Sequence, residues 1–247
     1  MSFIRRSRMR LAAALACALL CLTQVRCTTV KAADDPLAAA LEAARRTRDE
    51  SQLQSLKAQL QQRTSQNAND AQAYFLLAQV EAYLLDVFEA RKDKKAAEAA
   101  VDSAIADAQH SIQFNDNSAD AHSLLADLYG RKIGYGGAFA GPRFGPKVGD
   151  ENKRAMALDA KNPRVWASLG RQYLMAPKMF GGDIAKAVES FQKSLELDPS
   201  QDETWVWLAK AFQKQGDNAK ARDAIAHSLQ LNSNNSFAKS VSTTLKD

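Results

Sequence analysis

Residues Trp166–Pro199 read WASLGRQYLMAPKMFGGDIAKAVESFQKSLELDP, and this stretch decides the fold. Trp166, Leu169, Gly170 and Tyr173 recur at helical spacing, and Ala187 and Phe191 do so in a second run that Pro199 closes. The residue types have a direct physical reason. Small side chains at Gly170 and Ala187 let two helix axes approach closely, while Trp166, Tyr173 and Phe191 fill the space between neighbouring helix pairs. One pair cannot bury its own apolar face, so it must stack on another. Between the two runs lies an irregular segment, MAPKMFGGD.

Working outward, the pattern returns. Upstream stands His122-x-x-Leu125-Ala126-x-x-Tyr129, and before it Tyr74-x-x-Leu77-Ala78, with Glu81 where an aromatic is expected and Ala104, Ala108 and Ser111 on the partner helix. Downstream stands Trp205-x-x-Leu208-Ala209-x-x-Phe212, followed by Gly216, Ala221-x-x-x-Ile225 and Ser228. This order and local spacing resemble the tetratricopeptide (TPR) signature, W-x₂-L-G-x₂-Y…A-x₃-F…P, whose period is about 34 residues. Tyr74, His122, Trp166 and Trp205 are separated by 48, 44 and 39 residues. Each excess over the period falls between the two helices of a unit, and the links between units keep their normal length.

The resemblance implies an all-α, right-handed superhelical solenoid of helix hairpins with lengthened turns inside the repeats. The expected units are about 36–64, 70–116, 119–160, 163–199 and 202–233, with a capping helix at 236–246. The first unit rests on two stripes, Leu37, Leu41 and Ala44, then Leu53, Leu56 and Leu60. Asp35-Pro36 reads as a helix N-cap followed by proline at the first helical position. The six prolines all fall at expected starts, stops or loops. Gly216 suits the left-handed turn that ends a first helix.

Residues 1–32 read as a secretion signal preceding one solenoid over 33–247. Basic residues at Arg5–Arg10 precede the apolar run Leu11–Leu22, which is too short to span a bilayer. Export is therefore expected, to the periplasm first, with secretion or lipid anchoring as alternatives. Cys17, Cys21 and Cys27 all lie in this leader, so the mature chain would carry no disulfide, cysteine metal site or thiol nucleophile. The formal charge of +5 also belongs to it. Six of the 33 basic residues are there, leaving 27 against 28 acids in the body. Nothing in that balance points to nucleic acid.

Enzyme constellations are nearly absent from the pattern. His110, His122 and His227 show no metal-ligand spacing, and His122 stands in the place of a packing tryptophan. No carboxylate pair stands out from the helix surfaces. Gly141-Pro-Arg-Phe-Gly145-Pro-Lys147 has the wrong spacing for a phosphate loop. No cofactor or metal is expected.

Two surfaces could bind. Seven of the eleven glycines lie in Gly130–Gly149, a segment that interleaves aromatic and basic residues and reads as a long loop. Together with the MAPKMFGGD turn it predicts a loop-edge surface of Tyr135, Phe139, Arg143, Phe144, Met179 and Phe180. The TPR resemblance implies a second surface, the concave groove, lined by Phe75, Gln79, Asp127, Arg131, Arg164, Arg171, Trp207, Lys210 and Lys214. Its C-terminal half would be basic and suited to an acidic or carboxylate-bearing peptide. The asparagines of the carboxylate-clamp TPR subgroup are missing. The reading is an exported, non-enzymatic scaffold for a protein or peptide partner. The alternative is a small-molecule or lipid-binding accessory of an envelope transport system, which an empty apolar cavity beneath residues 131–147 would favour.

Overall fold

The computed structural model describes residues 35–245; residues 1–34, where the expected secretion signal lies, and 246–247 are outside the described residues. Helices follow one another in antiparallel pairs. They are α1 (Pro36–Thr47) with α2 (Glu50–Gln66), α3 (Ala71–Ala90) with α4 (Lys94–Phe114), α5 (Ala119–Ile133) with α6 (Ala140–Leu158), α7 (Pro163–Met175) with α8 (Ile184–Leu197), and α9 (Asp202–Gln215) with α10 (Asn218–Leu231). A short α11 (Ser236–Ser242) ends the array. Consecutive helices pack pairwise into a right-handed TPR solenoid.

The sequence writes the helix starts in side-chain caps. Asp35, Asp49, Asp70, Asp93, Ser118, Asn162, Asp183, Asp217 and Asn235 each accept a backbone N–H from the first turn that follows. Gly216 closes α9 in the left-handed region at φ 84°.

The first position of the repeat also has a hydrogen-bonding job. Trp166 Nε1 donates to the Ala160 carbonyl at 2.8 Å, and Trp205 Nε1 donates to the Pro199 carbonyl at 3.0 Å. His122 Nε2 meets the Asp116 carbonyl at 3.1 Å, again six residues upstream. Histidine replaces tryptophan there because its ring N–H reaches the same carbonyl. Its other nitrogen, Nδ1, lies 2.6 Å from Glu151 Oε2. Burial works against a charge on this ring, but Glu151 and Asp116 outweigh it and raise the pKa. The second helices answer with serines. Ser111 Oγ donates to the Ala71 carbonyl at 2.9 Å and Ser194 Oγ to the Pro163 carbonyl at 2.7 Å, tying each second helix to the start of its partner.

The glycine-rich segment is a correction to the sequence reading. It is not a long loop. A single 3₁₀ turn, Gly137–Phe139, leads directly into α6, so Pro146 lies inside a helix. Phe144, Val148, Asn152 and Ala155 follow helical spacing on one face, which the glycines obscured. Pro142 sits in the first turn, where no N–H is needed. Phe144 stacks on Tyr129 at 5.7 Å, Lys147 lies 5.1 Å over the same ring, and Val148 is buried. These contacts hold the helix together despite its glycine content. The excess length of the second hairpin is likewise absorbed by long helices, and the exposed run Arg91–Lys95 covers the turn between α3 and α4 and the first two residues of α4.

The ends of the array meet, which the repeat pattern did not announce. Arg45 on α1 binds Asp202 on α9 at 2.8 Å, and Arg48 binds Glu203 on α9 and Asp86 on α3. Arg46 Nη2 donates to the Leu231 carbonyl at 2.6 Å, and Asn232 Nδ2 donates back to the Arg46 carbonyl at 3.3 Å.

Candidate functional site

This closure changes the groove. Tyr83 lies under the Arg48 guanidinium at 4.3 Å, and burial, followed by the Glu203 charge, pushes its hydroxyl up to about 12. The concave face is crossed by ion pairs between neighbouring first helices. Arg131 pairs with Asp86 and with Glu89, the latter at 2.6 Å. Arg171 holds Asp127 through two nitrogens, with Nε at 2.9 Å from Oδ1. Arg164 is exposed, 3.9 Å from Asp120. Phe75 and Gln79 are half-buried on α3.

The expected basic wall is therefore corrected. Its arginines are neutralised by the adjacent hairpin, because ladder positions that point into one groove also point at each other. What remains is a smaller cluster on α9. Lys210 Nζ lies 4.6 Å over the Trp207 ring and 5.4 Å from Phe237, and Trp207 and Phe237 meet edge-on at 5.1 Å. Lys214 Nζ donates to the Leu174 carbonyl at 3.0 Å. Burial lowers the Lys210 pKa and the neighbouring Lys214 lowers it further. A half-buried cation over an aromatic face, beside a second cation, is a place where an anion is favoured.

The loop-edge residues divide in two. Tyr135 donates its hydroxyl to Glu89, and Phe144 packs on Tyr129, so both fold back. Phe139, Arg143, Met179 and Phe180 stay exposed. Beneath residues 131–147, Tyr135, Phe144 and Val148 pack against the core that holds Leu125 and Tyr129. An open cleft of about 440 Å³ lies further along, between α6 and α7, lined by Gly149, Asn152, Met156, Leu169, Gln172 and Tyr173. A second, of about 550 Å³, lies among α8, α9 and α10 beside Trp205 and His227.

Sequence reading missed a carboxylate pair. Glu81, at the position where an aromatic was expected, is 1% exposed between α2, α3 and α4. Its Oε1 accepts from Lys57 Nζ at 2.9 Å and Ser103 Oγ at 2.6 Å, and its Oε2 has no partner. Asp107 stands beside it. Burial, then the Glu81 charge, pushes the Asp107 carboxyl up to about 7, and a protonated Asp107 supplies the donor that Glu81 lacks. A raised carboxyl stabilises the folded chain below the ordinary pKa and loses that contribution as pH climbs through the folded one. The melting temperature of the parent chain is therefore expected to fall between about pH 4 and pH 7, and Asp107→Asn is expected to flatten that fall. Calorimetry across the range checks it; an unchanged slope in the variant would assign the dependence elsewhere, His122 included. The other signal, an acid in an aromatic slot, was visible at Glu81 itself.

Among the described residues no group of three His, Cys, Asp or Glu side chains could hold a metal, and no helix is long and apolar enough to cross a membrane.

Known proteins were compared with the chain. It is 36% identical over 72 residues to the TPR repeat-containing protein PA0015 of Pseudomonas aeruginosa, covering 29% of this chain and 64% of that protein. It is 26% identical over 141 residues to the general transcriptional corepressor trfA of Dictyostelium discoideum, covering 56% of this chain but 9% of that one. The matched region thus spans under two thirds of either relative. The crystal structure of TTC0263, a thermophilic TPR protein of Thermus thermophilus, superposes with a TM-score of 0.65 at 14% identity, covering 85% of this chain and 98% of that one, which is a likeness of fold. A family model matches residues 40–247, and the chain belongs to the family described as regulator of microtubule dynamics protein 1-3.

Proposed function

We propose that the chain is an exported, non-enzymatic TPR scaffold whose groove binds an acidic segment of a partner protein at Trp207, Lys210 and Lys214. The observation that carries this is the lysine pair. Lys210 is half-buried against two aromatic rings beside the like charge of Lys214, and Arg171 lies 5.9 Å from the same Trp207 ring. A carboxylate entering there relieves that repulsion and completes a charge-assisted hydrogen bond, while Trp207 offers apolar area beside it. Arg131 and Arg171 line the approach and keep their own acids, so they shape the groove rather than supply charge. The packing of Phe144 and Val148 against Tyr129 supports a scaffold over a carrier with an enclosed cavity.

Affinity purification from the native envelope tests the reading. Lys210→Glu with Lys214→Glu is expected to lose the proteins that the parent chain recovers. A direct competition with a polyglutamate peptide is expected to weaken by about tenfold to a hundredfold in the variant, the scale of one to two charged hydrogen bonds. If both chains recover the same proteins, the groove reading is wrong.

A further inference from the structure

We propose that the edge formed by the α5–α6 and α7–α8 turns docks on an anionic membrane surface. The proposal is independent of the groove. Its starting point is where exposed apolar side chains collect. Among the described residues Phe139 is 86% exposed, Met179 82%, Phe180 65% and Met175 60%, whereas the other large exposed apolar residues, Phe114, Leu197 and Leu231, lie between 36% and 39%.

The two turns leave the solenoid on one side. Helices α6 and α7 are antiparallel neighbours, and Gln172 meets both Gly149 and Asn152. With a helical rise of about 1.5 Å per residue, Met175 stands level with the first half of α6. The Phe139 turn and the Met179–Phe180 turn then project beyond the same edge.

The exposure is built into the backbone. The Phe180 and Gly182 N–H groups both donate to the Pro177 carbonyl, and the Asp183 N–H donates to the Tyr173 carbonyl. A side chain at Gly182 would stand 1.9 Å from the Ala176 carbonyl oxygen, and Gly181 takes φ 88°. This tight turn holds Met179 and Phe180 outward. In the α5–α6 segment Tyr135 and Phe144 fold back onto the helices while Phe139 does not.

Charge decides the occupant. Exposed Arg143, Lys147 and Lys178 flank these tips, and residues 134–149 and 175–182 contain no Asp or Glu, although the body as a whole has slightly more acids than bases. Separate apolar tips ringed by cations match a bilayer interface. The rings and thioethers reach the acyl boundary, and the long cationic stems keep their heads at the phosphates. A protein interface would instead favour apolar anchors packed into a continuous core with cations at the rim.

The test uses the full chain with Cys17, Cys21 and Cys27 replaced by Ser and one environment-sensitive fluorophore at a new cysteine, in Phe139→Cys, Met179→Cys or Gln61→Cys on the exposed face of α2. Vesicles contain phosphatidylcholine alone or with phosphatidylglycerol. The leader is common to all chains, so the label reports on the edge. The labels at 139 and 179 are expected to shift to the blue on the anionic vesicles, and the label at 61 is not. Arg143→Glu with Lys178→Glu is expected to weaken the response by at least about tenfold. No shift at 139 and 179, or an equal shift at 61, overturns the proposal. A shift that grows with protein concentration without lipid would assign the edge to a second copy of the chain and overturn it as well.

Discussion

Phe191→Ala will lower the unfolding free energy by about 3–5 kcal/mol, the cost of emptying a large, fully packed site. Phe191 is 0% exposed in the core of the fourth and fifth hairpins, with Leu174, Ala187, Val206 and Ala209 around it. Its ring lies on Gly170, where an added Cβ would stand 2.6 Å from Cε1 and 2.7 Å from Cδ1. Gly170→Ala therefore overpacks and will cost roughly 1–3 kcal/mol, although alanine in a helix gains about 1 kcal/mol over glycine. The two effects are coupled. Once the ring is gone, the alanine methyl meets empty space, and the second substitution becomes neutral or helpful. Urea unfolding of the two single variants and the double variant measures the coupling. Additive losses would mean that the Gly170–Phe191 contact does not set the spacing of α7 and α8.

Arg45→Ala will cost about 3–5 kcal/mol, the range for breaking a buried ion pair by removing one partner. Asp202 is 2% exposed, and besides Arg45 it accepts only from the neutral amides of Asn232 and Asn235, at 2.9 Å and 3.0 Å. Burial alone would raise its pKa. Arg45, Asn232 and Asn235 outweigh that and hold it below the ordinary carboxylate value. A depressed carboxyl contributes stability above the ordinary pKa and loses it as pH falls through the folded one. The parent is thus expected to weaken at this contact below about pH 4, and the variant is expected to lack that step. Adding Arg48→Ala removes the bonds to Glu203 and Asp86 and will let the first and fifth hairpins separate. Small-angle scattering should show a larger radius of gyration in the double variant. An unchanged radius and an unchanged melting temperature would show that the contact carries no weight.

The repeat architecture was legible because each hairpin repeats a small set of sizes at fixed spacing, and Gly170, Ala209 and Phe191 do in three dimensions what their spacing implied. The helical course of residues 140–149 was not legible. Glycine and proline weigh heavily against a helix in isolation, and the stack of Phe144 on Tyr129 that overrides them is a tertiary contact. The groove was legible as a set of positions but not as a charge. Arg171 looks like a free cation until Asp127, 44 residues earlier, is brought beside it. Glu81 shows the reverse case, since an acid in an aromatic slot was plain in the sequence while Asp107, its companion on the next helix, could be joined to it only by the fold.

The bond network from Arg45, Arg46 and Arg48 to α9 and to the start of the α10–α11 link has a consequence for how such a protein can change over time. An open solenoid tolerates gain or loss of a hairpin, since each unit answers only to its neighbours. Here the first unit must find the fifth at a fixed distance and angle. An inserted or deleted hairpin would strand Asp202 without its arginine, so the copy number is locked by chemistry that lies outside the repeat motif. Variation is left to the turns, where length can change without disturbing that meeting of the ends.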